Sequence, residues 1–261
     1  MARRRLQLSR RQLLAGGVAA GVSFGVTPAS WAFGEEGSFH PRMLLTGTDK
    51  WKGRRKGAPA RWALEVVRRT SAPARLSPAV VRADAPALLS EPFAVWAGQK
   101  APAALTRSEL AGLRRFIALG GVLLVDELAP NEGKFLAGAI RQLARVLPQG
   151  SPIPIGVENV LFRSFYLITE ATGRVQKAAK LKAIVRGGAV QVILSPNDLL
   201  GALARNAGAV HPLSVVPGGE AQRERAIRLA VNIAMYVLCS NYKDDQVHAP
   251  FLMRRRATGR P

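Results

Sequence analysis

The chain predicts an α/β fold, a three-layer, mostly parallel open sheet with helices on both faces. Three observations carry that expectation. Val122–Val125 and Phe93–Ala97 are uninterrupted apolar runs, as expected of strands covered on both sides. Stretches of helical periodicity alternate with such runs along the chain, the pattern of βαβ units. Third, Thr106–Glu127 reads as one complete unit. Thr106 and Glu109 form a T-x-x-E capping box, and Leu110, Leu113 and Ile117 give the helix an apolar face. Gly120 and Gly121 can end the helix without a Cβ clash. Asp126 and Glu127 then stand at the carboxyl end of the strand, where open α/β sheets place their ligands.

The remaining elements follow in order. Arg42–Thr46 reads as the first strand, ending in Gly47-Thr48-Asp49-Lys50-Trp51, and Lys52–Lys56 reads as a solvated basic loop. Ala60–Thr70 is expected to be helical, and Ala79–Val81 a short strand. After the organising unit, Phe135–Leu147 carries one apolar face and Val157–Tyr166 is irregular and aromatic. Lys182–Val185 and Val190–Leu194 flank Gly187-Gly188, the mark of a hairpin whose turn needs positive φ. The second strand of that pair ends in Ser195-Pro196-Asn197-Asp198. Glu220–Ser240 is a long helix, almost wholly apolar from Leu229 to Cys239 and therefore expected to be buried, Cys239 included. One domain, residues 42–242, accounts for all of these elements. Trp51, Trp62, Trp96 and Tyr166 fall at positions that suit a core.

Composition speaks to partners and to compartment. Hydrophobic residues make up 48% of the 261, enough for a substantial core. Lys+Arg number 38 against 17 Asp+Glu, a formal charge of +21, which favours anionic partners or surfaces. The first 32 residues read as an export signal. Ser9-Arg10-Arg11-Gln12-Leu13-Leu14 carries a twin arginine, and Leu13–Val26 is a mildly apolar segment rich in Gly and Ala. Ser30-Trp31-Ala32 offers small residues at a cleavage site after Ala32. The pattern resembles the bacterial twin-arginine signal. Its 14 apolar-segment residues fall short of the ~20 that span a bilayer. The expected destination is the periplasm, with a linker at residues 33–41 and a basic tail at 243–261. Without the five signal arginines the charge is 21 − 5 = +16. Nucleic acid is not an expected partner for an exported chain. Cys239 is the only cysteine, which excludes an intrachain disulfide and a thiolate metal cluster.

Several strings are familiar together. Leu44-Leu45-x-Gly47-x-Asp49-x-Trp51, Leu113-Arg114-Arg115-Phe116-Ile117 with Gly120-Gly121-Val122-Leu123-Leu124-Val125-Asp126, Leu161–Tyr166, Leu194–Asp198, and the closing Arg-Leu-x-Val-Asn-Ile-x-x-Tyr helix resemble the DUF4159 family. The resemblance covers about residues 42–242. It implies a class I glutamine-amidotransferase-like, flavodoxin-like domain, often exported or membrane-anchored and without an established activity. It also implies an envelope setting beside von Willebrand A-type proteins and AAA-type ATPases. Glu158-Asn159-Val160 stands where relatives often carry an acid-His-Pro triplet.

The chemistry is less specific than the fold. An amidotransferase needs a nucleophile on a sharp strand-to-helix turn, beside a histidine. Residues 33–261 contain no Gly-x-Cys-x-Gly or Gly-x-Ser-x-Gly, and Pro196 follows Ser195 where such an elbow requires a small residue. No catalytic residue is assigned. His40, His211 and His248 are scattered, without metal-ligand spacing, and are expected to face solvent. Asp49, Asp126 with Glu127, and Asn197 with Asp198 lie at three strand ends that a parallel sheet would bring to one edge. Two readings stand open. The acids could bind a ligand or a divalent cation such as Mg²⁺ or Ca²⁺, or they could cap helices and pair with arginines. The corresponding functions are a non-catalytic module binding an envelope ligand or partner, and a metal-assisted hydrolase. A third is a protein held to anionic surfaces through Lys52–Lys56 and Arg254–Arg256.

Overall fold

Residues 37–257 are described by the computed structural model, with side chains through residue 240. The twin-arginine segment, with Arg10, Arg11 and Ala32, lies outside the described residues, as do the side chains of the basic tail. Among the described residues there are seven strands: β1 (Arg42–Leu45), β2 (Val80–Arg82), β3 (Phe93–Gly98), β4 (Val122–Glu127), β5 (Ile153–Ile155), β6 (Leu181–Arg186) and β7 (Ala189–Ser195). Five helices accompany them: α1 (Ala58–Thr70), α2 (Arg107–Ala118), α3 (Lys134–Val146), α4 (Leu199–Leu203) and α5 (Gly219–Ala257).

The strands form one sheet in the order β2-β1-β3-β4-β7-β6-β5. The five from β2 to β7 run parallel, so their carboxyl ends share one edge. β6 is antiparallel to β7 because the expected hairpin joins them, with Gly187 and Gly188 at φ 57° and 80°. β5 closes that side as an edge strand, and Pro154 within it has no amide to offer a further strand. β1 leads through α1 to β2 on one side, whereas β3 leads through α2 to β4 on the other. The winding therefore reverses between β1 and β3. That reversal is where a parallel sheet opens a crevice.

Alternation along each strand divides the core in two. Phe93, Val95, Val122, Leu124 and Ile193 pack with residues of α1, α4 and α5. Ala94, Trp96, Leu123, Val125 and Val192 pack with residues of α2 and α3. These are the three layers the apolar runs predict. Trp62 of α1 is fully buried between Phe39 and Phe93, at 5.4 and 5.6 Å between ring centroids, and donates to the Ala230 carbonyl at 2.8 Å. Phe39, within the stretch expected to be a linker, is thus a core residue. Trp96 meets Phe135 edge-on at 5.5 Å on the other face.

Three expectations are corrected. The long helix does not stop at Ser240: residues 241–249 hold neither glycine nor proline, and the backbone stays helical through Pro250 to Ala257. Cys239 is exposed rather than buried. It lies on the outer side of α5, while Tyr236 and Val237 turn inward. Within the basic run expected to be solvated, Arg55 is buried. No helix among the described residues is long and apolar enough to cross a membrane.

Helix α2 lies so close to the end of β2 that a Cβ on Gly112 would sit 2.0 Å from the Ala83 carbonyl oxygen. Backbone cannot yield as a side chain can. Gly112→Ala is therefore expected to destabilise the domain by about 1–3 kcal/mol despite the better helix propensity of alanine. A urea midpoint equal to or above that of the wild type would contradict this packing.

Candidate functional site

The carboxyl edge begins with the needs of helix starts. The first amides of a helix lack intrahelical partners and, when buried, require acceptors. α4 is only five residues long and every one of them is buried, so water cannot serve. Asp126, at the end of β4, accepts the amides of Leu199 and Leu200 at 3.0 and 2.8 Å. Its neighbour Glu127 points to the opposite face, as strand alternation demands. There it accepts the amides of Ala129 and Leu136 at 2.9 and 2.8 Å and fastens the start of α3. Two adjacent acids serve two different layers.

Asp198 completes α4 as its N-cap. It has a left-handed backbone, φ 56°, and accepts the Gly201 amide at 2.9 Å. It is fully buried, and two arginines neutralise it. Arg55 reaches it from the loop after β1 with Nε at 2.8 Å and a terminal nitrogen at 2.5 Å, and also donates to the Leu128 carbonyl at 2.9 Å. Arg174 donates to the same carboxylate from the loop before β6. Burial, and then the charge of Asp198, push the Asp126 carboxyl up to about 7, against the pull of the Leu200 and Leu199 amides. The buried Ser195 hydroxyl also favours the ionised form without making a well-oriented hydrogen bond.

Asn197 acts as a four-point clamp. Its Oδ1 accepts the amides of Lys177 and Ala178 at 2.9 Å each, and its Nδ2 donates to the carbonyls of Ala171 and Ala178 at 3.0 and 2.7 Å. Glu109, in the capping box at the start of α2, also accepts the Gly47 amide at 2.6 Å and so ties down the loop after β1. Burial opposes its ionisation, but the Thr106 and Gly47 amides outweigh it and hold the carboxyl below the usual range.

Asp49 stands apart from the other acids. It is exposed, accepts from Thr46 Oγ1 at 3.3 Å, and lines an open cleft of about 490 Å³. That cleft lies where the winding reverses, between the loops after β1 and β3, with Leu44, Leu128 and Phe135 among its walls. A second lobe of about 290 Å³ shares Arg54, Arg55, Gln99 and Leu128 with it and extends to Arg174. The edge thus brings Asp126 and Asp198 together under α4, turns Glu127 to the other layer, sets Asn197 on the 171–178 loop and leaves Asp49 in the cleft. Among the described residues, no three His, Cys, Asp or Glu side chains are placed to hold one metal ion.

The residues missed from sequence are the cations around these acids: Lys50 and Lys100 in the cleft, Arg55 and Arg174 beneath it. The basic run at Lys52–Lys56 was a signal, but nothing in its pattern separates buried Arg55 from exposed Arg54. Of the histidines expected in solvent, His40 and His211 are partly buried and engaged, and the side chain of His248 lies outside the described residues. His40 meets Glu91 at 2.9 Å and the Ser77 carbonyl at 3.0 Å, and His211 meets the Ala204 carbonyl at 2.9 Å. Glu158 accepts the Gly156 amide, and Asn159 caps the short turn at Val160–Phe162.

A family model described as Domain of unknown function (DUF4159) matches residues 42–238, and the chain belongs to that family. Among curated proteins, none matches the chain.

Two measurements test this geometry. Asp198→Asn leaves Arg55 buried without a counter-charge and is expected to cost about 3 kcal/mol or more in urea unfolding. A loss under about 1 kcal/mol would deny the pair its structural role. Asp126 titrates high in the fold and near 4 when unfolded, so above pH ~4 unfolding releases its proton. Its contribution to stability falls as pH rises and levels off above about 7. The wild type should therefore lose ground relative to Asp126→Asn between pH 4.5 and 7.5. A constant difference would place that titration elsewhere.

Proposed function

We propose that the protein is an exported bacterial envelope protein that binds a ligand or partner at the carboxyl edge of its sheet without catalysing a reaction. One observation carries the binding reading. The buried acids at that edge are engaged with the fold, Asp126 and Glu127 on helix amides and Asp198 on two arginines, while the switch-point cleft beside them stays open. These carboxylates are buried as well as engaged, so they are poorly placed to activate water or to complete the shell of a hard cation. Export rests on the Ser-Arg-Arg-x-Leu-Leu string and the segment behind it. Family membership supports an envelope setting, and with it a protein partner among von Willebrand A-type or AAA-type ATPase systems.

Each half has its own test. In the full chain, Arg10→Lys with Arg11→Lys is expected to abolish the periplasmic pool in cell fractionation. An undiminished pool would remove the twin-arginine route. For the edge, millimolar Mg²⁺ or Ca²⁺ is expected to leave the melting temperature within about 1 °C, since linkage stabilises only a state that binds. A rise seen in the wild type and lost in Asp126→Ala would turn the reading toward metal-assisted chemistry. Ala103→Trp, which places a bulky ring at the cleft, should abolish whatever the edge binds. Binding untouched by that substitution would move the site elsewhere.

A further inference from the structure

Building on that reading of the carboxyl edge, we propose that the cleft between the β1 and β3 loops takes a ligand carrying two linked phosphate groups. Place, charge and room each argue for it. The cleft opens where the winding reverses, so two loops that diverge in opposite directions can close on a small molecule from both sides. Lys50, Lys52 and Arg54 line it from the first loop and Lys100 from the second. All four are exposed. The charge of Arg55 is already spent on Asp198. Among the described residues the side chains of Lys50, Lys52 and Arg54 make no hydrogen bond or ion pair, and Lys100 exerts only a weak pull on Glu132.

Against these four cations the only acid lining the cleft is Asp49, so the excess is 4 − 1 = +3. Like charges gathered on two facing loops repel one another, and an anion between them relieves that repulsion. Two phosphates, each at about −1.5 to −2, neutralise that excess, whereas one carboxylate does not. Lysines suit phosphate as mobile point charges, and Arg54 adds a planar fork. The volume of about 490 Å³ is in the range of small-molecule sites, and an adjoining lobe of about 290 Å³, which Arg54 also lines, leaves room for more of the ligand. Leu44, Ala97 and the ring of Trp51 offer apolar contact to the remainder of the ligand.

Linked phosphates can come from a soluble ester or from a lipid headgroup. The test uses the full chain with two probes. Inorganic pyrophosphate is titrated calorimetrically, and sedimentation measures binding to phosphatidylcholine vesicles with and without a lipid that bears a diphosphate headgroup. Each is repeated with Lys50→Glu/Lys100→Glu, with Ala103→Trp and with a chain ending at residue 248. The lysines are exposed, so circular dichroism and urea unfolding should match the wild type. Saturable pyrophosphate binding, weakened about tenfold or more by the double reversal and by raised salt, is the expected result. Vesicle binding lost in the double reversal and retained by the shortened chain would support the same site with a lipid as source. No binding of either probe overturns the proposal. So does binding indifferent to the two lysines, including vesicle binding lost only on shortening the chain. If Ala103→Trp abolishes binding of some other ligand while the double reversal leaves it intact, the carboxyl edge stands as the site and the phosphate inference alone fails.

Discussion

The carboxyl edge of this sheet is governed by one constraint: the amides at the start of α4 are buried and must be accepted by protein atoms. Water would satisfy them at a surface helix, but every residue of α4 is covered. Asp126 and Asp198 supply the acceptors, and their own burial then becomes the larger problem. Two carboxylates close together in a medium of low dielectric cannot both stay ionised without counter-charge. Arg55 and Arg174 provide it. The first is drawn inward from the loop after β1, the second from the loop before β6. One unmet hydrogen-bond requirement therefore organises four loops and helix starts.

The open cleft follows from the same chain of causes. Because Arg55 turns inward to Asp198, the loop from Asp49 to Arg54 lies along the edge with its other cations facing out. Glu109 holds the opening of that loop from the other layer through the Gly47 amide. Gly98 lets the opposite wall form, since a Cβ there would stand 2.4 Å from the Phe135 ring. The cleft is therefore shaped by residues buried beneath it, while the charges lining it remain unneutralised.

How much of this the sequence revealed depended on the range of each interaction. The unit from Thr106 to Glu127 was legible because its cap, apolar face, glycine stop and buried strand are all local. The hairpin at Gly187-Gly188 was legible for the same reason. The acids at the strand ends were found by position, but their work was not, because Asp126 meets its amides 73 and 74 residues away. Arg55 was hidden more completely. It sits among like residues, and its partner lies 143 residues on. Cys239 was misplaced because an apolar stretch does not state which side of a helix turns out. Burial at α5 is set by which turns meet the sheet, and Cys239 falls on the other side.

The separation of structural from functional charge is the general point of this site. An acid at the carboxyl end of a parallel strand draws attention as a ligand group, yet the same position is where the next helix presents its bare amides. The two roles compete for the same lone pairs. At Asp126 and Glu127 each carboxylate oxygen already accepts one amide of the fold, and both side chains are buried. At Asp198 the competition is three-sided, between an amide and two guanidiniums, and its charge is fully matched. Lysines have no comparable use in a helix start, because they carry donors and the amides need acceptors. Cations gathered at such an edge without partners thus lack the structural explanation that accounts for the acids. On the proposed reading the binding character of the edge would reside in Lys50, Lys52, Arg54 and Lys100, while Glu109 and Asp198 beneath them hold the loop that carries the first three.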